Sequence, residues 1–126
     1  MADKNVPLPR EEVDHLVEWT KYCAQGSDDN VHVSYRDKNK SFMDANNFKT
    51  DDVRNCLLRL RTEDYSTTSY EEGKTEAHVF SAYIMGLEIY LKYKVINEKL
   101  IVNVISFHEP ELGPLEHPYR LKKGEH

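Results

Sequence analysis

The clearest periodicity in the chain is the alternation of Leu87–Ile96 (LEIYLKYKVI), in which Ile89, Leu91, Tyr93 and Val95 interleave with Tyr90, Lys92 and Lys94. A repeat of two sends successive side chains of a strand to opposite faces. One face therefore meets a core, and the other presents a tyrosine and two lysines. Ala77–Met85 (AHVFSAYIM) before it and Lys99–His108 (KLIVNVISFH) after it are equally rich in Val, Ile, Tyr and Phe, residues that suit a pleated, half-buried surface. Gly86 separates the first pair and Asn97-Glu98 the second. Connections this short require antiparallel neighbours, because parallel strands need a long crossover.

The N-terminal half reads with a helical period. Pro9 suits a first helical turn, with Glu11 and Glu12 near the positive end of the dipole. Val13, Leu16, Val17 and Thr20 follow as one stripe, flanked by Trp19 and Tyr22, and Gly26 marks the stop. Trp19 and this stripe are assigned to the core. Val31–Arg36 (VHVSYR) alternates as a short strand, and the polar Asp37–Phe48 reads as a loop with a turn of helix. Thr50 is placed as the cap of a second helix, whose Val53, Cys56, Leu57 and Leu60 form one apolar stripe. Ser66–Lys74 reads as an exposed loop. Helices followed by a strand meander predict an α+β domain, with N-terminal helices packed on an antiparallel sheet.

Composition narrows the class. With 126 residues the expectation is one domain over 1–126, ending in an irregular tail from about residue 109 that holds Pro110, Pro114 and Pro118. A charged fraction of 31% against 39% hydrophobic residues suits a well-charged globular surface. No apolar run approaches the ~20 residues that span a bilayer, so no membrane partner is expected. MADKNVPLPREEV has no secretory apolar core. Cys23 and Cys56 lie in helical patterns, without disulfide or metal spacing. A reduced, cytoplasmic setting follows as the expectation. The net charge of −5 counts against broad, sequence-blind nucleic-acid binding but leaves room for a local basic site. Arg36, Lys38 and Lys40 form one small basic cluster that suits either RNA backbone or a solvated loop.

His32, His108, Glu109, Glu111 and His117 fit no recognised metal-ligand spacing. There is no Gly-rich phosphate loop and no nucleophile elbow, and the stripe carrying Cys56 predicts a buried, inert thiol. Neither a metal nor another cofactor is expected. What stands out is a tyrosine, cations and a strand-end histidine on one sheet surface, a set able to hold and cleave a phosphodiester.

Four segments in order, DVRNCLLRLRTEDY (52–65), HVF (78–80), GLEIYLKYKV (86–95) and VISFHEPELGPLEHPYR (104–120), resemble the MqsR family of toxins from type II toxin–antitoxin systems. The resemblance covers roughly residues 31 to 120. It implies a RelE-like α+β fold and a metal-independent, sequence-selective mRNA endonuclease that arrests growth. The implied partners are single-stranded mRNA and a cognate antitoxin protein. By the same resemblance Tyr90 matches the active-site tyrosine of the G-x-x-x-Y strand, and Lys92 the lysine two residues beyond. His108 falls where members carry a lysine or histidine after S-F, and His78 falls near a polar, RNA-facing position. The catalytic set is then His108, Tyr90 and Lys92, with Lys94 and His78 holding the RNA backbone. His108 would transfer a proton, Lys92 would stabilise the phosphorane, and Tyr90 would orient the phosphate or relay a proton.

Blander roles stand beside these. His108 would simply end a strand and pair with Glu109 or Glu111, Tyr90 would be a half-buried strand tyrosine, and His78, amid apolar neighbours, would be structural. Ser66 and Thr67 follow Asp64-Tyr65 where the best-known members carry a lysine. That departure and the acidic charge motivate an alternative: a non-catalytic, protein-binding member of the same fold, either a decayed toxin or a mobile-element protein.

Overall fold

The structure is a computed structural model that describes residues 4–26, 28–70 and 76–120. In chain order its regular elements are β1 (Lys4–Asn5), α1 (Arg10–Ala24), β2 (Val31–Val33), α2 (Asp37–Asn46), α3 (Thr50–Leu58), β3 (Tyr65–Tyr70), β4 (Ala77–Ile84), β5 (Leu87–Ile96) and β6 (Ile101–His108). The strands form one sheet in the order β1-β3-β4-β5-β6-β2. All pairings are antiparallel except β2 with β6. The fold is thus α+β, with three α-helices among the described residues and a mostly antiparallel sheet.

The meander follows from its turns. Met85 (φ 51°) and Gly86 (φ 82°) are both left-handed, the pair of conformations that joins two twisted strands in a two-residue hairpin. Between β5 and β6 the chain makes a 3-10 turn over Asn97–Lys99, and Leu100 is left-handed at φ 55°. The last strand therefore starts at Ile101 and not at Lys99.

Several expectations need correction. Ser66–Lys74 is not an exposed loop up to Tyr70: it is β3, an interior strand with Ser66, Thr68 and Ser69 buried. Residues 71–75 of that segment lie outside the described residues. Asp37–Phe48 is mostly the ten-residue helix α2, whose one buried residue is Asn39, with Phe42 and Met43 packed against the core. A helix with so thin an apolar stripe leaves no periodic signal. The strand at Val31–Arg36 stops at Val33 and runs parallel to β6. Thr50 is the first residue of α3 and not its cap, and the Lys49 N–H donates to the Asp52 carboxylate at 2.8 Å instead. Trp19 is 38% exposed, stacked on Tyr22, with its indole N–H donating to Asn97 Oδ1 at 2.9 Å.

The rest of the α1 stripe packs as expected, with Val13 and Val17 buried and the Thr20 hydroxyl 2.8 Å from that of Tyr93 on β5. Val53, Cys56 and Leu57 of α3, with Leu60 beyond it, join the same core. Burial raises both thiols, that of Cys56 to about 11. The sheet contributes Phe80, Leu91, Tyr93, Val104 and Phe107 to this core.

One irregularity sets the other face. Opposite Tyr93, Lys92 and Leu91 of β5, β6 presents Val104, then two residues, then Phe107. Ile105 is the extra residue of a β-bulge. The bulge reverses the alternation, so Phe107 turns inward while Ser106 and His108 face the same side as Lys92 and Tyr90. A bulge breaks the ladder and leaves backbone groups to be paired elsewhere. Asn39 supplies the partners: its amide nitrogen donates to the carbonyls of Ser34 and Ile105, both at 3.0 Å, and its oxygen accepts from Phe107 N–H at 3.0 Å.

Candidate functional site

The sheet face away from the core carries a cleft of about 1100 Å3. Registered rows run across this face, and of their residues Tyr90, Lys92, Ser106 and His108 line the cleft. Ser81 on β4, Tyr90 on β5 and His108 on β6 are successive cross-strand partners, and Val79, Lys92 and Ser106 form the next row. Tyr90, Lys92 and His108, chosen from the sequence, all line this cleft. The rings of Tyr90 and His108 stack at 5.5 Å and 20°. Burial, and next the charge of Glu111, raise the Tyr90 phenol above its ordinary range, while Arg36 opposes. Tyr90 therefore keeps a neutral hydroxyl, able to donate a hydrogen bond. His108 Nδ1 lies 2.8 Å from the carbonyl oxygen of Glu109. A carbonyl only accepts, so Nδ1 carries the proton of this bond and Nε2 is left for exchange.

Two chosen residues fall elsewhere. Lys94 shares the face but pairs with Asn103, farther along β5, and does not line the cleft. His78 is on the core face, 7% exposed, packed edge-on to Tyr93 at 5.9 Å and with Nδ1 3.0 Å from Thr68 Oγ1. Its placement against RNA is corrected by strand parity: in β4 the residue that shares the face of Lys92 is Val79. Burial lowers the His78 pKa to about 4, so the ring is neutral.

The cleft holds three fixed cations, Arg36, Lys38 and Lys92, against two carboxylates, Glu111 and Glu116. Lys38 and Glu111 meet at 2.9 Å across the rim, and this bond is the main reason the Glu111 carboxyl titrates below its ordinary value. Lys40, grouped with Arg36 and Lys38 in the sequence, lines a separate recess with His32 and Met43. Ser66 and Thr67 also line the cleft.

The proline-rich tail, expected to be irregular, has no helix or strand from Glu109 to Arg120, yet it is tied down. From Pro110 to Pro118 it forms one wall of the cleft. Beyond that wall Tyr119 stacks on Tyr65 at 6.1 Å and its hydroxyl donates to the Leu8 carbonyl. Arg120 reaches Asp64 and the Tyr83 hydroxyl, each at 3.2 Å. This return brings in His117, which the sequence placed only in a discounted metal set. Ser81 Oγ lies 3.0 Å from Glu88 Oε2 and 2.8 Å from His117 Nε2. The signal for this return was the late E-H-P-Y run, visible as a motif but without a position. Asn39, buried in a polar helix, gave no signal.

Among the described residues, no group of three or more His, Cys, Asp or Glu side chains is gathered in a way that could hold a metal ion. Among the same residues no helix is long and apolar enough to cross a membrane. In comparisons with known proteins, no family model matches the chain, and no curated protein and no solved structure matches it either.

Proposed function

We propose that this protein is a metal-independent endoribonuclease acting on single-stranded mRNA: an MqsR-like toxin with a RelE-like fold, working in the cytoplasm and neutralised by a cognate antitoxin. One observation carries the reading, namely that Tyr90, Lys92 and His108 come from two strands and converge on one cleft with Arg36 and Lys38 at its rim. Cleavage without a metal needs a base for the 2′-hydroxyl, cations for the crowded phosphorane and an acid for the leaving 5′-oxygen. His108 exchanges a proton through Nε2. Lys92, on the same face and one row away, stabilises the phosphorane. The neutral Tyr90 hydroxyl orients the phosphate between them.

The test is incubation of the purified protein with a defined RNA pool in EDTA, followed by sequencing of the cut ends. Discrete cuts bearing 2′,3′-cyclic phosphates, lost in His108→Ala and Lys92→Ala, are the expected result. Intact RNA in the presence of folded protein, free of antitoxin, would overturn it. The second reading, a protein-binding member of the fold, draws on the hydroxyls of Ser66 and Thr67 where the family pattern has a cation. It predicts uncut RNA and capture of a protein partner through the same cleft.

A further inference from the structure

We propose that His117, returned to the cleft by the tail, is the second proton-transfer group of the reaction, a catalytic base opposite His108. This deepens the ribonuclease reading and rests on it. Ser81, Tyr90 and His108 are side by side on β4, β5 and β6. Neighbouring strands are about 4.8 Å apart, so the backbones of Ser81 and His108 are separated by about 10 Å with Tyr90 midway. His117 is hydrogen-bonded to Ser81 and lines the same cleft as His108. One imidazole therefore stands on each flank of the tyrosine, as a displacement at phosphorus requires of its acid and its base.

The hydrogen bonds also fix which nitrogen works. Ser81 has one hydroxyl proton, and it is donated to the Glu88 carboxylate, which can only accept. His117 Nε2 must then donate to Ser81 Oγ, which leaves the lone pair on Nδ1. At His108 the bond from Nδ1 to the Glu109 carbonyl leaves Nε2 as the exchanging atom. Each ring is thus held by one nitrogen and works with the other. Four groups face His117: Ser81, Glu88, Arg120 and Asp64. Burial and then the Arg120 guanidinium lower its pKa, outweighing Glu88 and Asp64, so the ring is uncharged at neutral pH, as a base must be.

In the step so described, His117 Nδ1 takes the proton of the 2′-hydroxyl and the 2′-oxygen bonds to phosphorus. The bond from phosphorus to the 5′-oxygen breaks, and protonated His108 gives that oxygen its proton. The products are a 2′,3′-cyclic phosphate and a 5′-hydroxyl. One proton is taken up and one released, and no other reactant is consumed.

The test uses the full chain, a short RNA oligonucleotide in EDTA, and two variants. His117→Gln keeps an N–H donor for Ser81 but takes up no proton. It should melt like the parent, cut about 10² to 10³ times more slowly, and lose the acidic limb of the kcat/KM profile. Glu88→Gln leaves both histidines in place but removes a charge that raises the His117 pKa. Its acidic limb should move to lower pH, a shift that a purely structural His117 would not produce. Parental rates and an unshifted profile in both variants, with His108→Ala inactive, would overturn the role of His117 and leave the ribonuclease reading standing. An inactive parent protein would overturn both.

Discussion

The middle strand, β5, meets a histidine twice, once on each face. Tyr93 pairs with His78 on β4, edge-on at 5.9 Å, and Tyr90 pairs with His108 on β6, stacked at 5.5 Å. The chemistry of the two pairs is the same, and their surroundings are opposite. Tyr93 is fully buried and its hydroxyl is closed off by Thr20; His78 ends a run of bonds from Leu8 N–H through the hydroxyls of Tyr65 and Thr68. Tyr90 and His108 open onto a cleft with cations at its rim. Residue type suggests a role, but parity along the strand decides the setting: the inward pair is enclosed by the core, with His78 held neutral by burial, and the outward pair lines the cleft.

The contrast can be broken most forcefully by deleting one imidazole at a time. His108→Ala should reduce RNA cleavage by about 10² to 10⁴-fold with an unchanged melting temperature, while His78→Leu should keep the cleavage rate of folded protein. A swap of those outcomes, read from initial rates and thermal melts, would invert the assignment of the two faces. The next effect is on stability against pH. The His78 ring titrates near 6.5 when unfolded and at about 4 when folded, so between these values the unfolded chain binds more protons. Its contribution is complete above about pH 6.5 and drains away as pH falls towards 4, by about 3 kcal/mol in all. Denaturant melts across that range should show a steeper loss in the parent than in His78→Leu; equal slopes would refute the burial argument.

Smaller effects sharpen the comparison. Tyr93→Phe leaves the buried Thr20 hydroxyl without its partner and should cost about 1–2 kcal/mol, whereas Tyr90→Phe should leave the melt unchanged and lower the cleavage rate. Equal destabilisation would mean that Tyr90 is as much a core residue as Tyr93. The smallest difference lies at the rim. Lys38→Ala should weaken binding to a 2′-deoxy, uncleavable strand and lower the salt-dependence slope by about 1. Lys40→Ala, two residues away and in a different recess, should change neither. Matching titrations for the two variants would remove Lys38 from the binding surface.

These experiments probe what the sequence could and could not disclose. The β5 face was readable because the alternation is unbroken from Ile89 to Val95 and leaves one register. The helix stripes of α1 and α3 were readable for the same reason at a different period. β3 was not, since Tyr-Ser-Thr-Thr-Ser-Tyr has the composition of a loop; its Thr68 hydroxyl is buried between Tyr65 of the same strand and His78 of β4, a setting that composition alone does not reveal. His78 was not placeable because β4 is buried on both faces along most of its length and so carries no alternation that tells His78 from Val79, one step away. His117 and the tail wall were out of reach because proline-rich backbone carries no periodicity, and its course depends on contacts such as Tyr119 on Tyr65, more than fifty positions apart.

The bulge at Ile105 has a consequence for how the chain tolerates length change. Regular strands seldom accept a lost residue, because every side chain downstream exchanges faces. Here the two residues between Val104 and Phe107 oppose a single Lys92. Losing Ile105 would give Val104, Ser106, Phe107 and His108 an unbroken alternation, with Phe107 still inward and His108 still in the cleft. The Asn39 amide would give up one of its two carbonyl acceptors and keep the one on Ser34. Insertions and deletions ordinarily survive only in loops. In this protein Ile105 could be lost from the strand that bears the histidine with His108 still on the cleft side, because the residue removed is the one the bulge adds.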